Sequence, residues 1–256
     1  MYIIDRYAYA NRIRTVGPGR KCGLALLVLL ICLLLDRPAV GLVATGWMWG
    51  LATLWAGLPA RVFGRVLLAE GVFLALAVLG VAVGLGLAPQ PGASWSWNVG
   101  PIWVGSSQAS VETALRLVTR ALGGAAAMNL LALTTPLVNL VDLLRRLRAP
   151  VLLIDLMTVM YRFVFTILGS LSRMYTAQDS RLGYVSLRRG LASAGLLGSR
   201  LFIDAYQRSQ RLQTALESRG YAGDLRVLPI RYRHDNRFYW LSMGVVASLL
   251  LARVAL

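Results

Sequence analysis

The stretch Val151-Leu-Leu-Ile-Asp155-Leu-Met-Thr-Val-Met160-Tyr-Arg162-Phe-Val-Phe-Thr166-Ile-Leu-Gly-Ser-Leu-Ser172, followed at once by Arg173, decides how often this chain crosses a membrane. It is long enough, since about 20 apolar residues cover the hydrocarbon core. What opposes a crossing is the charge that follows. Residues 136–237 hold sixteen arginines, and twelve of them come after Ser172. Cytoplasmic loops carry the excess of Lys and Arg, so a crossing here would put those twelve on the wrong side.

The rest of the chain fixes which side that is. Residues 1–21 and 61–65 are basic, which places them inside, and residues 88–108 carry no charge, which places them outside. Five other segments have the apolar content of spans. They are Gly23–Leu35, Ala39–Leu58, Val66–Ala88 with Glu70 near its start, a run between Ala109 and Thr135, and Phe238–Leu256. Snorkelling by Arg20 and Lys21 would lengthen the first. The expectation is therefore five spans with the N-terminus inside. The Val151–Ser172 helix then starts or lies at the membrane without traversing it. Four regions follow: a cytoplasmic amphipathic segment over 1–21, a four-helix transmembrane region over 22–135, a cytoplasmic coupling-helix domain over 136–237, and a last transmembrane helix over 238–256.

Composition agrees with this all-α, polytopic membrane architecture. Of 256 residues, 57% are hydrophobic and only 15% charged, and mean hydropathy is +0.62. Soluble domains run to about 25% charge. A soluble enzyme and a disordered chain are both excluded. The net charge of +16 comes almost wholly from arginine, Lys21 being the only lysine. In a soluble protein that charge would suggest nucleic acid; here cytoplasmic loops account for it. Cys22 and Cys32 read as buried small hydrophobes. No cleavable signal peptide is expected.

Within 136–237, Asp155, Thr158, Arg162, Thr166, Gly169, Arg173, Ala177 and Arg181 recur every three or four residues and form one polar stripe on a helix. Such a stripe suits a solvated face or a docking face. A second helix is expected from about Leu187 to Ser218. On it Leu201, Ala205, Leu212 and Leu216 form an apolar face, with Asp204, Arg208, Arg211 and Ala215 assigned opposite.

These two helices end alike. One closes Ala177-Gln-Asp-Ser-Arg181-Leu-Gly183-Tyr184, the other Ala215-Leu-Glu-Ser-Arg219-Gly220-Tyr221. Arg in the last turn with Gly beyond it is ordinary C-terminal capping chemistry. Two such ends, 38 residues apart, also match a partner with two equivalent grooves, as an ATP-binding-cassette dimer has. Arginine's planar fork suits fixed recognition of carboxylates and carbonyl oxygens, and the small alanine lets the helix end approach a groove wall.

Three stretches resemble one family: the T component of energy-coupling factor (ECF) importers, in its cobalt/nickel branch typified by CbiQ. The first is Ile4-Asp5-Arg6-Tyr7-Ala8-Tyr9 with Asn11-Arg12. The second is Leu133-Thr134-Thr135-Pro136 with Leu144-Arg145-Arg146-Leu147 and Met160-Tyr161-Arg162. The third is the pair of Ala-x3-Arg helix ends. The first motif departs from the family's short form in having Leu182 between Arg181 and Gly183. Position 17 is glycine, where cobalt-type members would have histidine.

The resemblance implies a transmembrane scaffold, not an enzyme, in a cobalt or nickel importer. Two ATPase subunits would dock through Ala177, Arg181 and Gly183 and through Ala215, Arg219 and Gly220. A membrane substrate-capture subunit would pack on the same helices. No cofactor or metal is expected on this chain, with ATP and magnesium on the partner subunits. His234 stands beside Asp235 without the cluster that cobalt or nickel requires. Arg116 and Arg120, with Glu112 one turn earlier, are expected among outer head groups. The competing readings are a conventional ABC permease with one coupling helix per chain, a membrane enzyme acting on a lipid phosphate, and, remotely, a nucleic-acid binder.

Overall fold

Proline and serine set where the long helices begin. The computed structural model describes residues 2–35, 37–82, 84–86, 95–99, 102–221, 223, 232 and 236–255. After α1 (Tyr2–Ala10), Pro18 opens α2 (Pro18–Leu34) and Pro38 opens α3 (Pro38–Gly50). Proline suits the first turn because its missing N–H has no intrahelical partner there. One π turn, Leu51–Trp55, continues α3, and α4 follows over Ala60–Ala82. The Ser107 hydroxyl accepts from the Ser110 N–H at 3.2 Å and starts α5 (Gln108–Thr134). The remaining helices are α6 (Leu137–Arg146), α7 (Val151–Asp179), α8 (Leu187–Glu217) and α9 (Asn236–Ala255).

The all-α architecture carries one addition. Within the uncharged connection between α4 and α5, three short strands form an antiparallel sheet in the order β1-β3-β2: β1 Gly84–Gly86, β2 Trp95–Val99 and β3 Ile102–Ser106. Leu85 lies opposite Val104, and Trp97 lies opposite Val104 on the other edge.

The chain divides into two compact units, residues 1–136 with 231–256, and residues 137–230. In the first, α5 is the common wall against which α2, α3 and α4 pack. Its approach to α3 is close because both sides are glycine. A Cβ on Gly41 would run into the Thr119 carbonyl, and one on Gly123 would lie 2.9 Å from Cys32 Sγ and 3.1 Å from the Gly41 Cα. Small residues at a membrane helix contact allow backbones to meet in this way. Val28, Val40, Ala44, Met48, Phe63, Ala126 and Leu249 belong to the buried hydrophobic core of this unit. Cys32 is buried, Cys22 is half-buried, and both are free thiols.

Lys21 does not snorkel. It is 4% exposed and donates to the Thr134 carbonyl at 3.0 Å. Asn11 Nδ2 donates to the same carbonyl at 3.1 Å. The α5 C-terminus has unpaired carbonyls and a negative dipole end, and an ammonium and an amide satisfy it. The N-terminal stretch and the Thr-Thr-Pro stretch, far apart in sequence, thus meet at one carbonyl.

By length and composition, α4 over Ala60–Gly80, α5 over Gln108–Thr134 and α7 over Val151–Asp179 are each able to cross a membrane. The expectation that α7 stays on the cytoplasmic side rests on the arginines after it, not on its length. Arg116 pairs with Glu112 at 3.7 Å, one turn apart near the start of α5, both side chains about half exposed.

Candidate docking site

The second unit presents the two Ala-x3-Arg helix ends, and their backbones are the same. At the end of α7, the Gly183 N–H donates to the Gln178 carbonyl at 2.9 Å and the Leu182 N–H to Asp179 at 2.9 Å. At the end of α8, the Tyr221 N–H donates to Leu216 at 3.0 Å and the Gly220 N–H to Glu217 at 3.0 Å. Each is the double bond pattern of a Schellman cap, in which one residue adopts the left-handed conformation. Arg181 and Arg219 occupy the same position, immediately before that residue. Both are exposed, and neither guanidinium bonds to another described residue.

The left-handed position is where the copies differ. In α8 it is Gly220, with φ 72. In α7 it is Leu182, with φ 59, and not Gly183 as the glycine alone suggested. Gly183 has a different task. A Cβ there would lie 2.6 Å from Ser193 Oγ and 2.9 Å from the Gln178 carbonyl. Ser193 Oγ donates to the Gly183 carbonyl at 3.0 Å, so the glycine lets α8 approach the end of α7. The inserted leucine therefore keeps the cap and displaces the glycine to the helix contact. A left-handed leucine costs about 1–2 kcal/mol, partly offset by glycine's greater freedom when unfolded. Leu182→Gly is expected to raise stability by about 0.5–1 kcal/mol, read as a higher midpoint in chemical denaturation of the detergent-solubilised protein. A lower midpoint would show that the leucine side chain holds the cap by its own packing.

A third cap of this kind closes α6. There the Ala149 N–H donates to Leu144 at 3.1 Å, the Arg148 N–H to Arg145 at 3.1 Å, and Arg148 has φ 60. The residue before it is Leu147, so no arginine occupies the position held by Arg181 and Arg219.

Three ties set the direction of α7 against α8. Tyr221 Oη meets Asp155 Oδ2 at 3.3 Å, Arg208 Nη2 donates to Ser170 Oγ at 3.1 Å, and Ser193 holds Gly183. As the residue number rises along one helix it falls along the other, so the pair is antiparallel. Arg219 then sits at the Asp155 end and Arg181 at the far end of α7. At 1.5 Å rise per residue, the two arginines are roughly 40 Å apart. Tyr184, just past the first cap, stacks on Tyr175 with ring centroids 4.8 Å apart.

The middle tie is a polar cluster. Ser170 is 2% exposed and accepts from Arg173 at 3.1 Å as well as from Arg208. Arg208 Nε also donates to Asp204 at 3.0 Å. The hydrogen bond from Arg208, with one from Ser170, holds the Asp204 carboxyl below the usual carboxylate range. Asp204 and Arg208 thus lie on the packed face with Leu201, Ala205 and Leu212. Their assignment to the opposite face is corrected, because three residues advance a helix by 300°, a return to nearly the same side. Single-sequence patterning missed this cluster: polar residues at packed positions look like a solvated face until their partners are known.

Exposed apolar side chains occur along both helices. Leu152, Leu156 and Met160 on α7, and Leu187, Leu191, Phe202 and Tyr206 on α8, all face outward. Ala177 and Ala215 are exposed too. Among the described residues no three His, Cys, Asp or Glu side chains converge as a metal site. His234 and Asp235 lie outside the described residues.

Residues 11–229 match the family model described as CbiQ, cobalt transport protein. The chain is 32% identical to the cobalt transport protein CbiQ of Rhodobacter capsulatus, over 99% of this chain and 98% of that protein. It is 30% identical to the CbiQ of Salmonella typhimurium, over 86% of this chain and 97% of that one. It is 28% identical to the energy-coupling factor transporter transmembrane protein EcfT of Ruminiclostridium cellulolyticum, over 59% of each.

Proposed function

This chain belongs to the CbiQ cobalt transport protein family, as an ECF-type T component, and on that premise we propose that its second unit couples two ATPase subunits to a substrate-capture subunit in an importer for cobalt, with nickel the other ion of the class. The observation that carries this reading is the pair of matching arginine-tipped caps at opposite ends of one antiparallel helix pair. Two separated grooves need two separated tips of the same geometry. A conventional permease presents one such helix per chain.

In this mechanism Arg181 and Arg219 each enter the groove of one ATPase, where charge-assisted hydrogen bonds form with carboxylates and carbonyl oxygens. ATP binding and hydrolysis change the distance between the two grooves. Because both tips belong to one pair of packed helices, that change must reorient the pair. The exposed leucines and aromatics of α7 and α8 pass the movement to the capture subunit. The motion is driven only by the difference between the contacts made in the two ATPase states. Metal specificity resides in the capture subunit, and the protein sits in the cytoplasmic membrane with its N-terminus inside.

Subunit counting tests the reading. The complex purified in detergent is expected to hold one copy of this chain per two ATPases by native mass spectrometry. Two copies per two ATPases would replace this reading with that of the conventional permease.

A further inference from the structure

Glu70 is a carboxylate inside a candidate span. The apolar stretch of α4 runs to Gly80, and Glu70 lies five residues past Arg65, about 7.5 Å of helix. An ionisable group inside a span is costly and is found facing protein or water, not lipid. Yet α4 packs chiefly on one helix, α5, and the rest of its surface is open. Phe73 is 72% exposed and Leu76 66% exposed.

Glu70 opens onto a hollow of about 420 Å³ that it lines with Ala69, Phe73, Leu74, Ala121 and Ala125. Asn129 Nδ2 donates to Glu70 Oε2 at 2.7 Å, and this is the one hydrogen bond the carboxylate makes among the described residues. An ionised carboxylate accepts several more, and a protonated one still has a donor to place. The α5 side of the hollow is built from alanine, which permits a backbone to come close. A lipid tail would fill the space but offers nothing to the second oxygen.

We propose that this α4–α5 flank receives a transmembrane helix of the capture subunit, and that the helix brings a hydrogen-bond donor, such as arginine, lysine, histidine or an amide, to Glu70. The inference rests on the reading of the chain as a T component with such a partner. It adds a contact within the membrane, separate from the α7–α8 surface that receives ATPase movement. An intramembrane anchor would let the capture subunit be held at one place while the coupling helices move at another.

The test uses the intact complex carrying a photo-cross-linking amino acid at Ala125 or Phe73, together with the variants Glu70→Leu and Glu70→Gln. The expected adduct is with the capture subunit. Glu70→Leu should lower the capture subunit retained on purification about tenfold, the loss of one interhelical hydrogen bond in a membrane. Glu70→Gln, which keeps an acceptor and a donor, should lower it less. Both should retain the ATPases at wild-type yield, which reports that the chain is folded. Adducts only with lipid or with a second copy of this chain would overturn the proposal, as would full retention of the capture subunit by Glu70→Leu. If the unaltered complex contains ATPases but no capture subunit, the functional reading itself fails, and this proposal falls with it.

Discussion

Replacing Arg181 and Arg219 together with glutamate is expected to release the ATPase subunits and abolish metal uptake, while the protein remains in the membrane. Both guanidiniums are exposed and bond to no other described residue, so the change removes no contact among the described residues. In the proposed complex it would place a carboxylate where a charge-assisted donor is required. Truncating one partner of such a buried pair costs about 2–5 kcal/mol, and reversing the charge adds repulsion. Two tips on one scaffold bind with avidity, so either change alone leaves the other tip holding its ATPase nearby. Each single variant should therefore weaken retention of the ATPases on an affinity column, and the double variant should lose them by more than about tenfold. Arg200→Glu, on an exposed site in the middle of α8, alters the net charge as much as either single variant and should change nothing. Normal ATPase yield with the double variant would refute the assignment of these two residues.

The second large effect is in the first unit, residues 1–136 with 231–256. Gly41→Val is expected to destabilise the protein by about 3 kcal/mol or more, the upper range for overpacking a tight interior. The obstacle is the Thr119 carbonyl, a backbone group in the middle of α5. No rotamer change clears it, so α3 and α5 must separate and expose the contact formed by Gly123 and Cys32. Two controls separate this from a general intolerance of side chains. A Cβ at Gly64 would lie 2.8 Å from the end of the Trp49 ring, which is able to turn, so Gly64→Ala should have a smaller cost. Gly46 has nothing within 4 Å, so Gly46→Ala should be tolerated and gain helix propensity. Thermal midpoints in detergent distinguish the three. A Gly41→Val midpoint equal to that of the unaltered protein would mean that α3 and α5 are not in close backbone contact at Gly41.

The fold class was readable because the bilayer imposes it. Long apolar runs bounded by arginine can satisfy their backbones in lipid only as helices. The expected second coupling helix, about Leu187 to Ser218, corresponds to α8 (Leu187–Glu217) because Ser186 caps its start and Gly220 its end, and both signals are local. The short strands between α4 and α5 were not readable, since an uncharged loop of glycine, tryptophan and serine gives no periodicity.

Local sequence determined that two helices end in arginine, because a cap is specified by its own five or six residues. It did not determine which residue turns left-handed at the first end. Whether glycine or Leu182 takes that angle depends on Ser193, ten residues further on, which claims the space beside Gly183. Nor could it place Asp204 and Arg208, whose inward position is stabilised by Ser170 on another helix, or set Lys21 and Asn11 on the Thr134 carbonyl. Charge and hydropathy act along the chain and are legible in it; hydrogen-bond partners and close backbone approaches join residues distant in sequence, and only the packed structure decides them.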